Sequence, residues 1–377
     1  MKLSSFHGRV GAVALAGALA LTLAACGSDN PTGDAPTTGE TSGNGGSGDS
    51  EAPALSGELN GAGSSAQEKA MDAWRAGFQS ENPDVAVNYD PVGSGGGRTQ
   101  FLDGATDWAG SDAAMSADEV TKGQERCNGE AYDIPVYISP IAVAFNLEGI
   151  DSLNLSPATI AGIFTGAITS WDAPEIAADN PDVELPALAI TAVHRSEGSG
   201  TTKNFTDYLS KTAPDIWTYE PADDWPLEGG ESAQGTSGVV QTIQGGNGTI
   251  GYADESGVGD LGQASIKVGD AWVAPSAEGA AIAVDASPRD DSRSEHDIVI
   301  NIDRTTTEAD AYPLLLVSYA IFCDTYESQE KADLVKGLLS YIVSEQGQSE
   351  AQSAAGSAPI SDDLRTDVQA AIDTIGA

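Results

Sequence analysis

Three times in this chain a stretch with strand periodicity runs into glycine and serine, and a stretch with helix periodicity follows: "LNGAGSSAQEKAMDAW", "YDPVGSGGGRTQFL" and "VHRSEGSGTTKNFTDYL". No other feature constrains the fold as strongly. A strand that turns tightly into a helix is half of a β-α-β unit, and such units build α/β layers around largely parallel strands. The flanking segments agree. Val85, Val87 and Tyr89 alternate as in a strand, while Ala70, Met71, Trp74 and Phe78 fall on one helical face. In "LSPATIAGIFTG", Ser156, Pro157 and Gly166 mark an N-cap, a first helical residue and a stop. "LAITAV" (188–193), "GTIGYA" (248–253) and "YPLLLVSYAIFC" (312–323) read as buried strands. "SQEKADLVKGLLSYIVSEQG" (328–347) reads as one helix burying Leu334, Val335, Leu338, Leu339 and Ile342.

The same junctions carry chemistry. Glycine lets backbone amides face a ligand with no side chain between them, and a helix leaves its first amides unpaired at the positive end of its dipole. Convergence of the clusters at 61–65, 93–97 and 198–202 would make a dry cradle for an anion. One such turn alone reads more readily as a helix cap or turn. Three in one chain, the last following Arg195, point to a site. The nucleotide-binding pattern G-x-x-x-x-G-K-[ST] does not occur.

The formal net charge is -40, a surface that repels nucleic acid and anionic headgroups, so nucleic acid is excluded as a partner. Net charge sets only the distant field. A local cluster of donors still captures an anion.

Lys2 and Arg9 precede an almost wholly apolar run from Val10 to Ala25, and Leu23-Ala24-Ala25-Cys26 follows. The run is shorter than the roughly 20 residues of a membrane-spanning helix. It reads as a lipoprotein signal peptide (1–25) cut before Cys26, which would then carry a lipid. Residues 26–54 hold no aromatic or basic residue and read as a disordered acidic Gly/Ser/Thr tether. The expected location is the outer face of the cell membrane, reached through the lipid anchor alone. The folded part begins near Leu55, and its length of about 320 residues suffices for two domains.

Cys127 and Cys323 remain, and in an exported chain an isolated pair most simply forms one disulfide. With His194 and His296 as the only histidines after the leader, no zinc-site spacing is present, and no metal or cofactor is expected.

In chain order, "GAGSS", "GSGGGRTQF", "GSDAAMS", "HRSEGSGTTKNFTDYL" and "GTIGYA" resemble the phosphate-binding lipoproteins of bacterial phosphate-specific ABC transporters, over Leu55 to the C-terminus. The resemblance implies a two-lobed α/β fold of the type II periplasmic-binding-protein kind, each lobe a mostly parallel sheet flanked by helices. Lobe one would comprise 55–136 and return from 313–377, lobe two 137–312, with a hinge between. Both cysteines then fall in lobe one, where a disulfide leaves the hinge free. The implied ligand is dehydrated inorganic phosphate. It would be held by the amide and hydroxyl of Ser65, the amide of Ala66, Ser94, and Asp112 as acceptor. The other lobe would contribute the Arg195 guanidinium, the hydroxyl and amide of Ser199, the Gly200 amide, and the amide and hydroxyl of Thr201. Glu197 would hold the arginine in place. Where the family often has an aromatic residue and then proline, this chain has Ala66 and Gln67, so the pocket wall is expected to be more open there. The implied protein is a monomeric receptor rather than an enzyme, delivering phosphate to permease subunits and their cytoplasmic ATPase.

A carboxylate in an anion site has a physical logic. Monohydrogen phosphate can donate its proton to Asp112, whereas sulfate at neutral pH has none and would set lone pair against lone pair. Each buried polar group left unpaired costs about 1 to 3 kcal/mol, and selectivity on the order of 10⁴ can follow. From spacing alone, Asp112 reads equally as a cap at a strand end. Two other functions stay open: a receptor for another oxyanion such as sulfate or molybdate, and a secreted phosphatase or hydrolase. The second is poorly supported, since no G-x-S-x-G elbow or metal-ligand spacing is found and "AQGTSGVVQT" around Ser237 reads as a helix cap after a glycine turn.

Overall fold

The structure, a computed structural model, describes residues 54–377. The expected signal peptide, the lipidated Cys26 and nearly all of the tether lie outside the described residues. The chain begins with β1 (Gly57–Gly63), α1 (Glu68–Glu81), β2 (Val85–Asp90), α2 (Ser94–Leu102), β3 (Trp108–Ser111), α3 (Ala117–Cys127) and β4 (Ala131–Asn146). It continues through β5 (Ser152–Leu155), α4 (Pro157–Phe164), α5 (Pro174–Asp179), β6 (Thr191–Arg195), α6 (Gly200–Thr212), β7 (Glu231–Ala233), α7 (Gly235–Gln244), β8 (Thr249–Asp254) and α8 (Glu255–Val258). Then come β9 (Gly262–Val268), β10 (Ala271–Val273), α9 (Ala277–Asp285), β11 (Leu315–Cys323), α10 (Gln329–Val343), α11 (Glu345–Ala355) and α12 (Asp362–Asp373).

The strands form one curled, mixed sheet with two halves, ordered β2-β1-β3-β11-β4-β8-β6-β7, with β9, β10 and β5 branching from β4. The strand β4 makes both halves possible. Its residues up to Pro140 pair antiparallel with β11, and from Ile141 onward they pair antiparallel with β8. Within the halves β1 lies parallel to β2 and β3, and β6 parallel to β7 and β8. The parallel order expected from the strand-to-helix junctions therefore holds around β1 and β6. The two strands at the centre break it: β11 and β4 are antiparallel to each other, β11 is antiparallel to β3, and β4 is antiparallel to β8.

Burial follows composition. Every residue of β11 is buried, as are all of β4 but Asn146, matching their near-continuous apolar runs. The expected faces of α1 (Ala70, Met71, Trp74, Phe78) and α10 (Leu334, Val335, Leu338, Leu339, Ile342) are the buried ones. Two boundaries differ from expectation. The segment 328–347 is not one helix, because the Ser344 hydroxyl accepts the Gly347 amide at 3.0 Å and caps a second helix, α11. The strand β6 starts at Thr191 rather than at Leu188, since the preceding residues only bridge to Ser170.

Cys127 and Cys323 form a disulfide with Cα atoms 5.3 Å apart, joining the end of α3 to the end of β11 within the first half. Far from this bridge, β1, β2, β3, β6 and β7 all end at the same cleft. Ligands of open α/β sheets bind outside the carboxyl ends of parallel strands, and here two sets of such ends face each other.

Candidate functional site

Each strand end delivers one piece of the cleft. Ser64 and Ser65 follow β1, Gly93 and Ser94 follow β2, Asp112 follows β3, and Arg195 is the last residue of β6. Ser199 is the N-cap of α6, its hydroxyl accepting the Thr202 amide at 3.3 Å. Ser65, Ala66, Ser94, Asp112, Arg195, Ser199 and Thr201 are all buried. The two halves meet so closely at α6 that only glycine fits at its first residue: a Cβ on Gly200 would lie 2.6 Å from Ser94 Oγ and 2.7 Å from Asp112 Cβ. Beside this contact the Gly95 amide donates to the Gly198 carbonyl at 3.1 Å. The three glycine-serine clusters expected to converge do so.

Asp112 has two unlike oxygens. Ser318 donates to Oδ1 at 2.5 Å, whereas Oδ2 has only the long contacts of Ser94 (3.4 Å) and Thr201 (3.3 Å). The Asp112 amide donates to Ser94 Oγ at 3.0 Å, and the Asp112 carbonyl accepts from Asn204 Nδ2 at 2.6 Å. Burial pushes its carboxyl above the ordinary carboxylate range. The Ser318 and Ser64 hydroxyls, the Arg195 guanidinium and the Thr201 hydroxyl pull it part of the way back.

Arg195 is aimed by Glu197. Its Nε donates to Glu197 Oε1 at 2.7 Å and its Nη2 also engages that oxygen, while the Gly235 amide donates there at 3.0 Å. Nη1 reaches Thr201 Oγ1 at 3.5 Å, and Nη2 donates to Ser65 Oγ at 2.9 Å across 130 residues of sequence. The Thr236 amide donates to the same Ser65 oxygen at 3.1 Å. A serine hydroxyl has two lone pairs and one proton. With both lone pairs engaged, Ser65 keeps its own proton to donate, and the Thr236 hydroxyl lies 3.4 Å away.

The amide of Ala66, expected to serve a ligand, here donates to Ser64 Oγ at 3.0 Å. The adjacent wall is filled rather than opened. Gln67 is fully buried, donates to Tyr89 Oη at 3.1 Å, and occupies the space a side chain at Gly110 would need.

Sequence reasoning missed four residues. Ser318 lies on β11 where the register with β4 shifts between Ser318 and Tyr319; such a bulge re-aims a side chain, and nothing local announces it. Thr236 and Gly235 open α7, a fourth helix start at the cleft, and its signal was present as "AQGTSGVVQT". Tyr252 lies under Arg195, accepting its amide at 3.3 Å and meeting Thr202 Oγ1 at 2.8 Å. Ser237, in the same stretch as Thr236, is exposed. A crevice of about 510 Å³ backs onto Asp112, bordered by Lys203, Asn204, Arg293, Arg304 and Tyr319.

Residues 32–346 match the model of the PBP superfamily domain. Phosphate-binding protein PstS 3 of Mycobacterium tuberculosis (strain ATCC 25618 / H37Rv) is 33% identical over 384 aligned positions, covering 100% of each chain. The chain belongs to the PstS family of phosphate-binding proteins. A further member, PstS 3 of Mycobacterium leprae (strain TN), is 34% identical over 90% of each PstS chain. The PstS fold recurs in the high-affinity periplasmic phosphate-binding protein PfluDING, solved with phosphate, at a TM-score of 0.69 and 22% identity over 83% of this chain and 93% of that one. A phosphate-binding protein from Stenotrophomonas maltophilia has a TM-score of 0.66 at 20% identity over 84% and 94%. Among the described residues no helix is long and apolar enough to cross a membrane, and no group of three or more His, Cys, Asp or Glu is placed to hold a metal.

Proposed function

We propose that the chain is an extracytoplasmic receptor for inorganic phosphate that hands its ligand to an ABC permease. The observation that carries this reading is Asp112. A buried carboxylate with one oxygen satisfied by Ser318 and the other turned toward Ser94 and Thr201 suits an anion that brings its own proton. The names of the PstS relatives support the same ligand.

In this reading Ser65, Ser94, Ser199 and Thr201 supply hydroxyls, Ser65, Gly200 and Thr201 supply amides, and Arg195 supplies the one formal positive charge; the Ala66 and Ser199 amides, expected to join them, are held instead by Ser64 Oγ and the Asp223 carbonyl. The pairing of Arg195 with Glu197 fixes the guanidinium fork before the ligand arrives, so no ordering cost falls on binding. Asp112 accepts the proton of monohydrogen phosphate through Oδ2. Lobe one spans 55–136 with 313–377 and lobe two 137–312, consistent with the change of partners along β4 at Pro140 and Ile141. Hinge closure between them then sequesters the anion. In the same reading Cys26 tethers the mature chain by lipid to the outer face of the cell membrane, where it works as a monomer with permease subunits and their ATPase. Sulfate or molybdate as ligand is disfavoured by Asp112.

The test is calorimetric titration of the phosphate-stripped protein with phosphate, sulfate and molybdate, beside an assay for p-nitrophenyl phosphate turnover with and without divalent metal. Tight phosphate binding without turnover is expected. Equal binding of all three anions, or metal-dependent turnover, would overturn the reading.

A further inference from the structure

Arg98 belongs to α2, one turn beyond Ser94, and is 4% exposed although it touches none of the cradle's donors. All three of its nitrogens are engaged. Nε donates to Glu119 Oε1 at 2.9 Å, Nη1 to Ser111 Oγ at 2.9 Å, and Nη2 to Asp223 Oδ2 at 2.7 Å. The first two partners lie on its own side of the cleft. Glu119 is in the first turn of α3, and Ser111 immediately precedes Asp112 and donates to the Ala113 carbonyl at 2.5 Å. The guanidinium therefore grips the turn that presents Asp112 from behind.

Asp223 comes from the opposite side, in the segment between α6 and β7. Its carbonyl accepts the Ser199 amide at 3.0 Å, so the same residue fixes the N-cap of α6. Its other carboxylate oxygen, Oδ1, is buried without a hydrogen-bond partner. Arg98 is thus the side-chain anchor of a charge drawn into the cleft mouth, next to the bond between the Gly95 amide and the Gly198 carbonyl.

We propose that the Arg98–Asp223 ion pair is the closure latch of this receptor, joining the turn that carries the anion acceptor to the turn that carries an anion donor without touching the ligand. The proposal rests on the two-lobed receptor reading above. Opening the cleft separates Arg98 from Asp223 but leaves it with Glu119 and Ser111, so the pair contributes only to the closed state. An interaction present in one state alone shifts that equilibrium and, with it, ligand release. Removing one member of a desolvated pair acts mainly on dissociation.

Phosphate association and dissociation are measured by stopped flow on the full mature chain, for wild type, Asp223→Asn, Arg98→Met and the double variant. The latch predicts dissociation about tenfold faster in each single variant, association changed less than about threefold, and a double variant no worse than the more affected single. Asp223→Asn leaves the Glu119 and Ser111 bonds intact and keeps the test valid if Arg98→Met fails to fold. Small-angle scattering gives a second readout. Asp223→Asn should be more open than wild type at matched phosphate, and this comparison decides the latch even if another anion is the ligand. Unchanged dissociation with unchanged scattering in Asp223→Asn overturns the proposal, as does a double variant whose loss is the sum of the two singles.

Discussion

Ser318 donates to Asp112 Oδ1 at 2.5 Å, across 206 residues of sequence. This bond makes the two oxygens of the carboxylate different, one held closely by Ser318 and one with only long contacts to Ser94 and Thr201. It comes from β11, where Ser318 lies opposite Tyr137 of β4, so the acceptor is braced close to the point at which β4 changes partners. Losing it removes a donor that favours the charged form. Ser318→Ala should raise the Asp112 pKa further and weaken phosphate binding at neutral pH by about tenfold, in line with the roughly 1.5 to 3 kcal/mol of a hydrogen bond to a charged group, partly regained by water. The check is the pH profile of phosphate affinity. Its acid limb should move to higher pH in the variant, and an unmoved limb would deny Ser318 this role.

Asp254 offers a stability prediction. It is fully buried at the end of β8 opposite Ile141, with Tyr137 Oη at 3.2 Å and the Ser256 hydroxyl at 2.5 Å. Burial raises its pKa to about 7; the Ser256 and Ser139 hydroxyls lower it, and the charge of Asp112 adds to the rise. The native state then holds a proton that the unfolded chain has released between about pH 4 and pH 7. Its contribution to stability is present below the unfolded value and is lost as pH rises through that window. Denaturant titrations should show Asp254→Asn gaining on wild type as pH increases from 4 to 7. A constant difference would contradict the assignment.

The disulfide should matter to stability and not to binding. Cys127 and Cys323 close a loop of 196 residues within one half, and a crosslink over so long a loop is worth about 3 to 5 kcal/mol in the chain-entropy picture. Reduction should lower the melting temperature by several degrees while phosphate affinity at 25 °C stays within about twofold. A large loss of affinity on reduction would mean that the bridge shapes the cleft.

Much of this was legible in the sequence because it is local. The faces of α1 and α10, the strand β8 and the glycine-serine starts of α2 and α6 depend on periodicity and caps within a dozen residues. The convergence of those starts followed from one rule about strand ends. What escaped depends on long-range register. Ser318 is aimed by a bulge on β11, Asp223 reaches Arg98 from an irregular segment, and Thr236 meets Ser65 only because the halves close. Gln67 was misjudged for a related reason: its burial depends on Gly110 and Tyr89, two separate strands away from the turn it belongs to.

The central claim is that Asp112 recognises phosphate by the proton the ligand carries. The measurement that tests it most directly is the ratio of phosphate to sulfate affinity in wild type and in Asp112→Asn, at neutral pH, by calorimetry on phosphate-stripped protein. The predicted result is a wild-type ratio of about 10⁴ or more that falls by at least about tenfold in Asp112→Asn, whose amide can donate to sulfate. An unchanged ratio in the variant would contradict it and place selectivity elsewhere in the cleft.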